Sequence, residues 1–374
     1  MRTGCSAIAR IVWLACLGAL PALSPATDGS MRGDGPPPAA KPFSLTRLDP
    51  AFDRIIAPDA KLQLLGDRFG ITEGPVWIRE GKGGALLVSD LTANAIYKVT
   101  DEGTVSVFVD KAGYSGTDID NAGIQARSGR MHVLLIGPSC TNVDSAGRLL
   151  WCADNDGAIM RLEKDGSRTV LASKADGKRF NGPNDLVLLH DGSMYFTDPD
   201  FGLRFGGKSP LKQLESAGVW YLKDGQPTKV LDARDLGGTP DGIALSPDER
   251  HLYLTAGPGV VKRYDIGADR QLSNGVQFAR GPTIGDGLRT DLAGNVYSTS
   301  GAGPGAVGVT SPAGKLLGTI NLPVAGEEPK RQICASNVAF GGVEGKDLYI
   351  TACQAVYKIR LRSAGLVPGL RSKQ

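Results

Sequence analysis

The sequence predicts an all-β fold, a six-bladed β-propeller with four-stranded antiparallel blades around a central channel. Three observations carry this. A turn followed by a short alternating strand recurs six times, each copy sits in a unit of four strands, and no helical periodicity of useful length separates the units. The 51 Gly and 23 Pro suit many short strands joined by tight turns.

The six copies are GGALLVSD from Gly83, AGRLLWCAD from Ala146, DGSMYFTDP from Asp191, DERHLYLTA from Asp248, AGNVYSTS from Ala293 and GKDLYITA from Gly345. An apolar strand precedes each, such as DLVLL from Asp185 or GIALS from Gly242. One or two further strands trail it, as in NAIYKVTDEGTVSVF and AGVWYLKDGQPTKVL. A lone four-stranded sheet cannot bury both its faces, whereas a radial ring packs each sheet on two neighbours and leaves few open edges. The sixth copy ends at QAVYKIRL without an outer strand, so KLQLLG, from Lys61, is expected to supply it and close the ring.

The chain divides into an export signal (1–26), a disordered leader (27–41) and the propeller (42–374). Arg2 and Arg10 form a basic start, Ile11 to Leu20 an apolar run, and Ser24-Pro25-Ala26 a small-residue cleavage site. The apolar run is too short for a comfortable membrane span, which needs about 20 residues. Cys16 lies inside that run rather than after it, which disfavours a lipid anchor. Gly, Pro, Asp and Ala dominate the leader. The expected location is therefore the periplasm or the exterior, with no membrane attachment after signal removal. The formal charge of +3 and the lack of a long basic run argue against nucleic acid as a partner. Oligomeric state has no signature here.

Four cysteines remain in the mature chain. Cys140 opens the innermost strand of the second blade and Cys152 closes its neighbour; Cys334 and Cys353 occupy the corresponding places in the sixth. Antiparallel pairing sets the start of one strand beside the end of the next, so Cys140–Cys152 and Cys334–Cys353 are expected disulfides, with four buried thiols as the alternative. Their spacing and the lack of His partners argue against zinc.

In a propeller the starts of the innermost strands converge on the channel mouth. There the sequence places Glu73 in EGPVW, Asn184 in NGPND, Asp241 in TPDG and Asp286 in GDGL. Four of six blades thus aim an oxygen donor at one point, and hard oxygen donors suit Ca²⁺, with Zn²⁺, Mg²⁺ or Mn²⁺ as alternatives. Singly, Asp241 and Asp286 before Gly read as turn residues, and Asn184-Asp185 as a turn or cap. A Glu before Gly-Pro has no common turn role, and the shared blade position favours the ligand reading. The other two blades offer Ser139 with Cys140, and residues 335–337. His132, His190 and His251 all fall away from this set, which argues against a Ser-His-Asp triad.

EGPVW, the run EKDGSRTVL…GKRFNGPNDLVLLHDGSMYFTDPDFG, PDGIALSPDERHLYL and DGLRTDLAGNVY resemble the senescence marker protein, gluconolactonase and luciferin-regenerating enzyme family. The resemblance implies a six-bladed propeller with a divalent cation in its channel and hydrolysis of a small sugar lactone. It implies metal ligation by Glu73, Asp241 and Asp286, with Asn184 a further ligand or substrate contact. Asp286 is the implied general base and Asp241 a second candidate, because crowded carboxylates raise one another's pKa. Asn181, Ser139 and Asn184 are implied on the substrate side. The sequence departs from the pattern at Asp241, where many members carry Asn, at Pro138-Ser139-Cys140 and at Gly182. The last two touch the substrate side and bear on which lactone is used. Phosphotriester or aryl-ester hydrolysis, and a non-catalytic metal-stabilised binding propeller, are the rival readings. Residues 111–130 exceed what a blade connection needs and read as a lid over the mouth or a solvated insert.

Overall fold

The computed structural model describes residues 41–128, 131–302, 305–324 and 334–368. The export signal and all of the leader but Lys41 lie outside these. The described chain forms six antiparallel blades around a channel and three two-stranded ribbons, nearly all β, with two single-turn α-helices. Blade 1 runs outward through Thr72–Glu80, Gly83–Asp90, Ala95–Val99 and Val105–Asp110. Blade 2 uses Thr141–Val143, Leu149–Ala153, Ala158–Leu162 and Arg168–Ala172. Blade 3 uses Leu186–Leu188, Met194–Asp198, Gly218–Lys223 and Gln226–Asp232. Blade 4 uses Pro240–Leu245, His251–Ala256, Val260–Ile266 and Leu272–Arg280.

The last two blades borrow from the N-terminal segment. Blade 6 has Asn337–Gly341, Asp347–Ala352 and Ala355–Arg360, and Leu62–Gly66 completes it with Leu62 opposite Ile359. The expected closure is therefore formed. Blade 5 has Leu288–Thr290, Val296–Thr299, Ala306–Thr310 and Leu316–Asn321, and gains a fifth strand that the repeat pattern did not foretell. That strand is Ser44–Arg47, with Ser44 opposite Asn321. It precedes all six repeats and matches none of them, so only its partner reveals it. Between the two borrowed strands the helix Phe52–Ile55 buries Phe52 and Ile55 in the largest apolar cluster. Trp77 and Val88 of blade 1, Tyr297 of blade 5 and Phe340 and Ile350 of blade 6 share that cluster. The seam where the ring closes is thus its most heavily packed region, with apolar burial contributing about 25 cal/mol per Å².

The 111–130 segment holds part of a hairpin, Ile124–Ser128 paired with Met131–Leu135. It links the outer strand of blade 1 to the inner strand of blade 2, so it stands at the mouth where the innermost strands begin. The loop after Asp198 rises from the same mouth, because the second strand of each blade ends there. An isolated bridge pairs Ala122 with Leu203, and Arg204 donates to the Asp120 carbonyl, tying insert to loop.

Candidate active site

The register places the sequence's four oxygen donors at equivalent positions. Glu73 lies at the second residue of its innermost strand, as does Asp241, while Asn184 and Asp286 each stand two residues before theirs. Glu73 is half-buried; its Oε2 accepts from the Gly74 amide at 3.0 Å and from Asn337 Nδ2 at 3.3 Å. Burial pushes its carboxyl up to about 7, with the Asp185 charge adding to the rise and hydrogen bonds from Gly74, Asn337 and Ser336 opposing it. Asp241 is raised well above the carboxylate range by burial, then by Glu73 and Asp185, and among the described residues no hydrogen bond to its side chain offsets this. Asp286 is raised likewise by burial, then by Glu73, Asp241 and Asp185. Three acids at one mouth therefore feel one another and receive few donors, an arrangement that stores repulsion when all ionise.

No group of three or more His, Cys, Asp or Glu side chains among the described residues stands close enough to form a ready-made metal site. The donor chemistry nonetheless fits a hard divalent cation: three carboxylates, one amide and, among the described residues, no cationic side chain bonded to any of them.

The buried Arg289 is committed to a different acid. Arg289 Nη1 and Nη2 donate to Asp185 Oδ2 and Oδ1 at 2.8 and 3.0 Å, and Nη1 also reaches the carbonyls of Leu288 and Ile243. The Asp185 side chain is 2% exposed and that of Arg289 13%, so this is a buried, forked ion pair inside the channel. Sequence reading passed over both. Asp185 resembled a cap beside Asn184; the one signal available was an Arg in the short innermost strand LRT.

The Asp-Gly pairs are not turns. Neither Gly242 nor Gly287 has a left-handed φ. A Cβ on Gly242 would stand 2.6 Å from the Asp286 carbonyl oxygen, and one on Gly287 2.1 Å from Cγ of Asn337. Each glycine lets the next blade's inner strand approach, which brings Asp241 toward Asp286 and Asp286 toward the Asn337–Glu73 pair.

Ser139 and Asn181 are both buried. Ser139 Oγ contacts Asp154 Oδ1 at 2.5 Å and the Asn184 carbonyl at 2.6 Å, so it fixes the backbone of Asn184. Asp154 is held well above its ordinary value by burial against those hydrogen bonds. Asn181 Oδ1 accepts from Lys212 Nζ at 3.2 Å, and Asp198 accepts from the amides of Asn181 and Gly182 at 3.1 and 2.8 Å. The Asn184 side chain is half-buried and makes no hydrogen bond among the described residues. At the rim, Ile124 of the hairpin and Phe201, Leu203 and Phe205 of the blade 3 loop line a cavity of about 490 Å³. Both expected disulfides are formed, Cys140–Cys152 and Cys334–Cys353.

Comparison with known proteins agrees with this fold. A family profile described as SMP-30/Gluconolactonase/LRE-like region matches residues 71–354. A gluconolactonase of Zymomonas mobilis is 31% identical over 336 residues, covering 86% of this chain and 87% of that protein. The solved structure of a gluconolactonase from Xanthomonas campestris superposes with a TM-score of 0.68 at 28% identity, covering 87% of this chain and 99% of its own. A calcium-binding regucalcin from Agrobacterium tumefaciens shares the fold, with a TM-score of 0.59 at 15% identity over 84% of this chain and 98% of its own.

Proposed function

This chain belongs to the SMP-30/gluconolactonase/LRE-like family, and from that premise we propose that it is a lactonase that opens a small sugar lactone with the help of one divalent cation, Ca²⁺ first among the candidates. The observation that carries the reading is the placement of Glu73, Asn184, Asp241 and Asp286 at equivalent starts of four innermost strands. Glu73, Asp241 and Asp286 would hold the cation, with Asn184 as a fourth donor or a contact to the substrate. When bound, such an ion supplies Lewis-acid polarisation of a carbonyl and stabilises a developing oxyanion.

The chain's own groups supply the rest. Water adds to the lactone carbonyl and the ring C–O bond breaks, which yields a single hydroxy acid because the two ends stay tethered. Asp286 takes the proton from the attacking water and returns it to the departing ring oxygen. Its carboxylate is fitted for this because burial and its acidic neighbours make it more basic than an exposed Asp. Asp241 shares the same surroundings and is the second candidate. The unpaired Asn184 amide is available to orient the substrate. Two disulfides suit an oxidising compartment, which supports the periplasm or exterior as the place of action.

The test is hydrolysis of a panel of sugar lactones and simple esters, with chelator and then with Ca²⁺, Mg²⁺, Zn²⁺ or Mn²⁺ restored, and with Asp286→Ala in parallel. Lactone turnover that chelation abolishes and a cation restores, and that Asp286→Ala loses, is the expected result. Cation binding without turnover of any substrate would replace this reading with a binding propeller.

A further inference from the structure

The two blades that offer none of the four oxygen donors, blades 2 and 6, are the two that carry the disulfides. They also flank blade 1, which contributes Glu73. On the blade 6 side, the Thr72 amide and Oγ1 both donate to the Cys353 carbonyl at 2.8 Å. Ser336 Oγ donates to the Thr72 carbonyl at 2.7 Å, and Asn337 Nδ2 reaches Glu73 itself. On the blade 2 side, Thr141 Oγ1 donates to the Gly74 carbonyl. Gly74 has φ +41, and a Cβ there would stand 2.0 Å from the Ser139 carbonyl oxygen and 2.6 Å from Cα of Cys140. Both neighbours of Glu73 are therefore held by backbone that a cystine locks: Cys353 and the 334–337 segment on one side, Ser139 to Thr141 on the other.

The geometry points to the Cys140–Cys152 and Cys334–Cys353 disulfides as positioning elements for Glu73, a clamp on a strand that itself contains no cysteine. The consequence for cation binding rests on the ligand role given to Glu73 above; the clamp itself does not. A bare backbone hydrogen bond fixes a residue only as well as the segment that offers it. Here each offering segment lies at a strand end, where fraying is easiest, and a cross-link to the adjacent strand removes that freedom. Outer groups that orient a ligand typically govern metal affinity by about 10- to 100-fold.

The experiment compares the full chain with the pairs Cys140→Ala/Cys152→Ala and Cys334→Ala/Cys353→Ala, well below their melting temperatures. Amide hydrogen exchange is followed in peptides covering residues 71–78 and 240–246, and Ca²⁺ affinity is measured by calorimetry. Either pair is expected to speed exchange at 71–78, leave 240–246 unchanged, and weaken Ca²⁺ by about 10-fold or more. Thr141→Val, which keeps every cysteine, is expected to act in the same direction and serves if a cysteine pair does not fold. Unchanged exchange at 71–78, with only the cysteine-bearing strands opening, would overturn the clamp and leave the disulfides as general stabilisers. If the unaltered protein binds no divalent cation, the proposed function fails, and the exchange arm alone decides the clamp.

Discussion

Asp185 and Arg289 form a forked ion pair of 2.8 and 3.0 Å that joins blade 3 to blade 5 across blade 4. Among the described residues the pair gives Asp185 a cationic partner and leaves Glu73, Asp241 and Asp286 without one. Removing the guanidinium by Arg289→Met leaves a buried carboxylate unpaired beside three others. The expected loss is about 3–5 kcal/mol, read by urea unfolding. Asp185→Asn combined with Arg289→Met should recover a good part of it; additive losses would count against the pair as a unit.

Asp241 combines burial, two acidic neighbours and no side-chain hydrogen bond. Asp241→Asn removes the cost of burying a carboxyl among acidic neighbours, so the chelated protein should melt higher than the unaltered one at neutral pH. With cation present the order should invert, because the variant binds it more weakly and gains less from mass action. An unaltered response to cation would remove Asp241 from the ligand set.

Glu73 sets a pH dependence whose sign is opposite to that of an ordinary surface acid. Its ordinary value is 4.5 and burial lifts it to about 7, so between these the folded chain retains a proton that the unfolded chain has lost. Stability of the chelated protein is therefore full below about 4.5 and falls as pH rises through about 7. Asp198, lifted to about 6 by burial, adds to the same slope. A saturating divalent cation should flatten or reverse it. Thermal melts across this window, with and without chelator, check both statements; rising stability of the chelated protein would contradict them.

Gly287→Ala is a small change with a specified victim. Its Cβ would displace the Asn337 side chain, which supplies a side-chain hydrogen bond to Glu73. The variant should fold, lose about 1–3 kcal/mol through overpacking, and bind cation more weakly than the unaltered protein. Normal affinity, measured by calorimetry, would show that Asn337 does not orient Glu73.

Blade number, the closing strand from Lys61, both cystines and the common position of Glu73, Asn184, Asp241 and Asp286 were legible in the sequence alone. All follow from a repeat, and a repeat copies local information: alternation along a strand, a turn at its end, a polar residue at its start. Tertiary structure decided the rest. The strand Ser44–Arg47 belongs to no repeat and is defined only by its partner Leu316–Asn321. The Asp185–Arg289 pair spans 104 residues and the Asn337–Glu73 bond 264, so neither leaves a local pattern. The glycines after Asp241 and Asp286 read as turns because Asp-Gly usually is one, whereas here the constraint is the backbone or side chain of the next blade. A propeller's strands are written within each blade, but its channel is made where blades meet, and those contacts depend on closing the ring.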